Sequence, residues 1–253
     1  MEAFVPQVLR FDSLPSTNLE AARRASEGAA EGLCVVAREQ TAGRGRLQRQ
    51  WVSPKDAGLY FSMVLRPQFE QSAWSLLTLM AAVAVNDALR EGCNLETDIK
   101  WPNDILANDK KLCGILAETV ETPLRRAVVL GIGINLIRHS VPEEFEQVAT
   151  SVETATGRSH DLEILLEALI VALTKHYATL RQTGGPETII REWCARSSYR
   201  EGKLVRVVES NRMLVGTTRG LEPDGALRLE TGDGDIRIVR AGDVNSLRPA
   251  ADL

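Results

Sequence analysis

"TDIKWPNDILANDKKLCGILAETVE", residues 97–121, places apolar runs on both sides of Asn108-Asp109. Asn and Asp favour turns for local reasons, so the stretch reads as two strands joined by a tight hairpin. Just downstream, "RAVVLGIGINLI" (126–137) reads as a buried strand carrying two glycines, Gly131 and Gly133. Upstream, residues 73–90 repeat apolar side chains at helical spacing through Leu76, Leu79, Met80, Val83 and Leu89. Before them, "GLYFSMVLRP" (58–67) is a strand stopped by Pro67, and "GLCVVAREQ" (32–40) is a second β-rich run. "VLRFDSLPSTNLEAARRASEG" (8–28) predicts a short strand, a turn at Pro15 and a helix ending at Gly28. Thr17 with Glu20 three residues later fits a capping box for that helix.

Beyond the hairpin region, residues 161–182 predict an amphipathic helix. Gly184-Gly185-Pro186 breaks it, and a further helix runs to about Ser197. From Tyr199 the texture changes to four or five short alternating strands with Gly turns, about ten residues apart, which suggests a small closed barrel. The expected domains are 1–198 and 199–253.

The 253 residues are 44% hydrophobic and 25% charged, ordinary for a globular protein with a sizeable core. A net charge of −4 argues against general nucleic-acid binding, so any basic site must be local. The longest apolar stretch, "LLTLMAAVAV" (76–85), is half the length a membrane span needs, and the N-terminus lacks the pattern of a signal peptide. Cys34, Cys93, Cys113 and Cys194 show no CxxC spacing, and His139, His160 and His176 show no metal-ligand spacing. A cytoplasmic protein without a zinc site is expected.

The local basic site is "QTAGRGRLQRQWVSP" (40–54). Gly43 and Gly45 let backbone N–H groups approach an anion, and Arg44, Arg46 and Arg49 suit phosphate oxygens. The loop lacks the Gly-Lys-Ser/Thr end of a nucleotide-triphosphatase phosphate loop. Trp51 offers a face on which a base could stack. "KWPNDI" (100–105) gathers Lys100, Asn103 and Asp104 at a proline-fixed turn, and Lys111 enters an apolar strand three residues before Gly114. Each feature has a plainer reading: an exposed basic loop, a turn, a solvated lysine, a strand bulge at the glycines.

In order along the chain, "PSTN" (15–18), "EQTAGRGR" (39–46), Trp51 with Ser53-Pro54, "KWPNDI", "KLCGIL" (111–116), "GIGINL" (131–136) and "AGDVNSLR" (241–248) resemble the biotin–protein ligases. The resemblance covers nearly the whole chain. It implies an α+β fold of the class II synthetase and biotin ligase kind: a mixed central sheet with flanking helices, followed by a C-terminal SH3-like β-barrel. It implies that Ser16, Thr17, Asn18 and Gln40 read the fused-ring head of biotin, and that Arg44, Gly45 and Arg46 belong to a lid over the bound intermediate. Lys111 resembles the lysine at biotin's carboxylate and the reacting phosphate. Gly114, Gly131 and Gly133 would let strand backbone pack against the ligand. Trp51 would stack on adenine, while Arg49, Lys100, Asn103, Asn135 and Arg248 would serve ATP.

The implied reaction joins biotin and ATP, with Mg²⁺, into biotinyl-5′-AMP and transfers the biotinyl group to one lysine of a biotin carboxyl carrier domain. Arg46, Lys111 and Mg²⁺ would neutralise phosphoryl charge, and Asp104 would accept or orient the proton of the incoming amine. Metal ligands are not assigned, and monomer and homodimer are both open. The family pattern Gly-Arg-Gly-Arg-x-Gly-Arg is broken here at Gln48, which should remove a positive-φ option and stiffen a lid otherwise expected to be mobile. Only 14 residues precede Pro15, so the helix-turn-helix domain of repressor members is not expected, and the expectation is a ligase alone. Rival readings are a lipoate or octanoate ligase of related fold, a non-catalytic biotin sensor, and an RNA-binding protein using the Arg/Gly loop.

Overall fold

A computed structural model describes residues 5–123, 125–209, 212–240 and 242–246. The first seven strands are β1 (Gln7–Phe11), β2 (Leu33–Ala37), β3 (Gly58–Leu65), β4 (Asp98–Lys100), β5 (Asp104–Ala107), β6 (Lys110–Val120) and β7 (Ala127–Asn135). They form one sheet in the order β1-β2-β3-β7-β6-β5-β4. Only β1 and β2 run parallel; every other pair is antiparallel, so the sheet is mixed. The hairpin between β5 and β6 turns on Asn108 and Asp109 alone, with φ of 51° and 60°. Both sit in the left-handed region, where Asn and Asp are better tolerated than other non-glycine residues.

The helices are α1 (Thr17–Ser26), α2 (Leu76–Cys93), α3 (Val152–Thr156), α4 (Leu162–Leu180) and α5 (Gly185–Ala195). Fourteen of the 18 residues of α2 are buried, so it is the core helix, packed between the sheet and α4. It is shifted three residues downstream of the expected span, because Asn94 ends it in a left-handed cap at φ 50°. Asp161 caps α4 by accepting the Glu163 N–H at 2.7 Å. One acid is sunk among the helices. Asp87 accepts from His176 Nε2 at 2.8 Å and from Arg196 at 3.0–3.1 Å. Burial alone would raise its pKa, but His176 and Arg196 outweigh that and hold it below the usual carboxylate range.

The capping box expected at α1 is not made. Ser16 is the N-cap, with no side-chain cap bond, and Glu20 instead pairs with Arg23 and Arg24. The Thr17 N–H and hydroxyl both donate to Gln40 Oε1, at 2.8 and 3.1 Å, and that long-range contact displaces the local cap.

Five strands follow: β8 (Glu201–Glu209), β9 (Arg212–Leu221), β10 (Leu227–Thr231), β11 (Ile236–Val239) and β12 (Asp243–Ser246). They form an antiparallel sheet in the order β11-β10-β9-β8-β12, consistent with an SH3-like fold, around Val205, Val207, Leu227, Leu229, Val239 and Val244. The expected boundary at residue 198 falls in the link between α5 and β8. The barrel meets the larger domain at its 224–226 turn. Trp101 Nε1 donates to the Gly225 carbonyl at 3.0 Å, and the Ser75 hydroxyl to that of Asp224 at 2.6 Å.

Candidate active site

The floor of a cavity of about 410 Å³ is the antiparallel pair β6–β7. That volume lies in the range of small-molecule sites. Gly114 faces Gly133 across the ladder, and Leu116 faces Gly131, so the floor has hollows where side chains would stand. The hollows are filled by the protein itself. A Cβ on Gly133 would lie 2.5 Å from Trp51 Nε1, one on Gly114 3.0 Å from Trp51 Cζ3, and one on Gly131 2.2 Å from Asn18 Oδ1. Gly131 and Gly133, expected to let strand backbone pack against the ligand, line the cavity, and Asn18 and the Trp51 indole sit against them. Trp51 is thus a shelf laid flat on a glycine floor, with the ammonium of Lys111 5.5 Å from its ring centre.

At one end of the cavity the N-terminus of α1 brings Ser16, Thr17 and Asn18 to the wall. Gln40 reaches them because it bridges to Leu14 on one side and Ser53 on the other. Its Oε1 accepts from Thr17, and its Nε2 donates to Ser53 Oγ at 2.8 Å. Ser62 on β3 lies 2.8 Å from the Thr17 hydroxyl and donates to Asn18 Oδ1 at 2.6 Å. Asn18 Nδ2 then donates to Glu118 at 2.8 Å. These groups orient one another before any ligand arrives.

The other end is cationic. Lys111 Nζ is 2.7 Å from Asp104 Oδ1, and Lys100 Nζ is 3.6 Å from Asp104 Oδ2. Asp104 opens β5 directly after the turn that holds the cis Trp101–Pro102 bond. Asn103 is fixed in that turn by donating to the Ile115 carbonyl at 2.9 Å while its own carbonyl accepts from the Ile115 N–H. The thiol of Cys113, between Lys111 and Gly114, is pushed far up by burial and is no nucleophile.

Arg46 comes from the 43–51 loop, whose base is closed by Trp51 N–H to the Gly43 carbonyl at 3.0 Å and Gly45 N–H to that of Arg49 at 2.7 Å. Arg46 Nη1 donates to Asn103 Oδ1 at 3.0 Å and lies 3.4 Å from the Gly242 carbonyl of the barrel. Arg44 and Arg49 also line the cavity. The tip of this loop turns at Leu47 and Gln48, with φ of 54° and 59°. Gln48 therefore keeps the left-handed geometry that the loss of glycine was expected to forbid, at a cost of roughly 1–2 kcal/mol. Arg248 lies outside the described residues.

A third wall was not read from the sequence. Residues 140–149 arch over the cavity with Val141, Pro142, Phe145 and Val148 facing it. The arch is stitched down by the Lys111 N–H donating to the Val148 carbonyl, and the Thr150 N–H to that of Lys111, both at 2.9 Å. Asn135, expected to serve the nucleotide, donates its Nδ2 to the Thr150 carbonyl at 3.0 Å and so anchors the arch. No motif marks this segment; its only sequence signal is a few apolar residues between polar ones.

Residues 8–135 match the family described as the biotin/lipoate A/B protein ligase family, and residues 202–245 match the biotin protein ligase C-terminal domain. The biotin–[acetyl-CoA-carboxylase] ligase of Paracoccus denitrificans is 38% identical, over 90% of this chain and 96% of that protein. The bifunctional ligase/repressor BirA of Bacillus subtilis is 37% identical, over 95% of this chain and 74% of that protein. Among solved structures, the biotin protein ligase of Aquifex aeolicus in complex with biotin and ATP superposes with a TM-score of 0.82 at 28% identity, covering 96% of this chain and 99% of that one. The Leishmania major biotin protein ligase with biotinyl-5-AMP gives 0.65 at 25%, covering 94% and 100%. The chain belongs to the biotin/lipoate A/B protein ligase family, on its biotin protein ligase branch.

Proposed function

We infer that the protein activates biotin with ATP as biotinyl-5′-AMP and then transfers the biotinyl group to a lysine of a carboxyl carrier domain. The observation that carries this is one cavity with a neutral hydrogen-bonding end at Thr17, Asn18 and Gln40, a cationic end at Arg46, Lys100 and Lys111, and the Trp51 shelf between them. An uncharged bicyclic head would sit at the first end and a carboxylate and phosphate at the second, with a purine on the shelf.

In the first step a carboxylate oxygen of biotin bonds to the α-phosphorus of ATP and the bond to pyrophosphate breaks. The carboxylate is already ionised at neutral pH, so the protein need only align the reactants and offset charge. Lys111 and Arg46 are the groups placed to do so. Asp104 holds Lys111 and Lys100 in place through its two oxygens. It is the one carboxylate among the described residues lining the cavity, and no cluster of three metal-binding side chains occurs among the described residues. Mg²⁺ is accordingly proposed to enter as Mg·ATP, held by the phosphate oxygens.

In the second step the lysine amine attacks the acyl carbon, AMP leaves and one proton is released. Asp104 is proposed to orient the incoming amine and take that proton, exchanging one ammonium partner for another. Asp104→Asn should still form the adenylate but transfer it slowly; transfer at the wild-type rate would remove Asp104 from this step. The reading as a whole is tested by biotin-dependent exchange of pyrophosphate into ATP, with lipoate as control, followed by labelling of a carrier domain. Exchange with lipoate in place of biotin would overturn it.

A further inference from the structure

On the face of β6 that carries Gly114 and Leu116, two residues beyond the latter and just outside the cavity lining, stands Glu118. Neither the motifs nor the spacing singled it out. Its two oxygens are divided between two parts of the site. Oε1 accepts from Arg44 Nη2 of the lid at 2.6 Å, and Oε2 accepts from Asn18 Nδ2 of α1 at 2.8 Å. Asn18 Oδ1 accepts from Ser62, so the sense of its amide is set from both sides. Ser62 in turn lies beside Thr17, and Thr17 beside Gln40. A continuous chain of polar contacts therefore runs from the first arginine of the lid to the head pocket, and Glu118 is its only charged link besides that arginine.

We propose that Glu118 is a positioning residue that latches the base of the lid to the biotin-head pocket through Arg44, so that ordering of either one orders the other. An exposed ion pair would contribute little. Here the side chain of Glu118 is 29% exposed and its second oxygen is already fixed by Asn18, so less conformational freedom is lost in holding Arg44. The carboxylate also divides the work of the lid. Arg44 is committed to the head end, which leaves Arg46, two residues on, at the Asn103 end. The inference rests on the biotin reading for the ligand, though not for the latch itself.

The test uses Glu118→Gln, Arg44→Ala and the double variant, beside the unaltered protein. Gln can still accept from Asn18 Nδ2 but loses the charge that holds Arg44. The expected result is a rise of about tenfold in KM for biotin and in the escape rate of biotinyl-5′-AMP, with kcat and the KM for ATP little changed. In the Arg44→Ala background the same change should add almost nothing, because the latch is already gone. Independently of any ligand, trypsin should cut the lid at Arg46 and Arg49 several-fold faster in Glu118→Gln. Unchanged biotin KM and lid cleavage would overturn the proposal, as would additive effects in the cycle or an equal loss in both substrates' KM with a falling melting temperature. Wild-type silence in pyrophosphate exchange would sink the biotin reading, while lid cleavage would still decide the latch.

Discussion

At the α1 end of the cavity, Thr17, Asn18, Gln40, Ser53 and Ser62 hydrogen-bond one another, and Asn18 passes the network on to Glu118. At the Lys111 end, Lys100 and Lys111 share a single lining carboxylate, Asp104, and Arg46 lies nearby on Asn103. The first end is complete without its ligand, so it selects by shape and by polar groups that would be left unpaired with the wrong molecule. The second is electrostatically unfinished and gains most when an anion arrives. A protein that must hold a neutral ring and a polyphosphate in one cavity has kept the two forms of recognition at opposite ends.

Removing the Lys111 charge should break the comparison most severely. Lys111→Ala is expected to lower kcat for adenylation by roughly 10²–10³-fold, the usual effect of deleting one group that stabilises developing charge. Next come the floor glycines. Gly131→Ala should drive Asn18 from its hollow and raise biotin KM, whereas Gly133→Ala should lift Trp51 and raise the KM for ATP; each overpacks the site by about 1–3 kcal/mol. Identical profiles for the two would mean that the ends are not separate. Salt gives a milder contrast, because screening acts on charges and hardly on neutral hydrogen bonds. Between 0.05 and 0.5 M salt the KM for ATP should climb several-fold, and that for biotin, which meets charge only through its carboxylate and the Arg44–Glu118 pair, should climb less. The smallest effect belongs to Gln48→Gly. Relieving its left-handed backbone is worth about 1 kcal/mol, partly offset by glycine's freedom in the open loop, so adenylate escape should slow by at most about fivefold.

Elements and motifs were legible wherever the cause is local. The Asn108-Asp109 hairpin, the all-round apolar α2 and the strand of Gly131 and Gly133 follow from side chains a few positions apart. What could not be read depends on contacts between distant segments. The capping box at Thr17 was lost to Gln40, 23 residues away. Glu118 looks like any polar residue near a strand end until the fold carries it to Arg44, 74 residues distant. The arch of 140–149 has no pattern of its own and exists because β6 and Asn135 supply its hydrogen bonds. The glycines were rightly singled out as places of close approach, but spacing could not say that the approaching groups are Asn18 and Trp51.

The Trp51 shelf has an optical consequence. Two of the other three tryptophans, Trp101 and Trp193, are buried to 2% exposure or less, and Trp74 packs at the edge of the core. Trp51 alone lies on a bare glycine pair with a lysine ammonium at its ring. A purine settling on its open face would quench its emission, and displacement of that ammonium toward a phosphate would shift its colour. With a purine stacked there as proposed, that emission would report loading in real time without a label or a coupled assay.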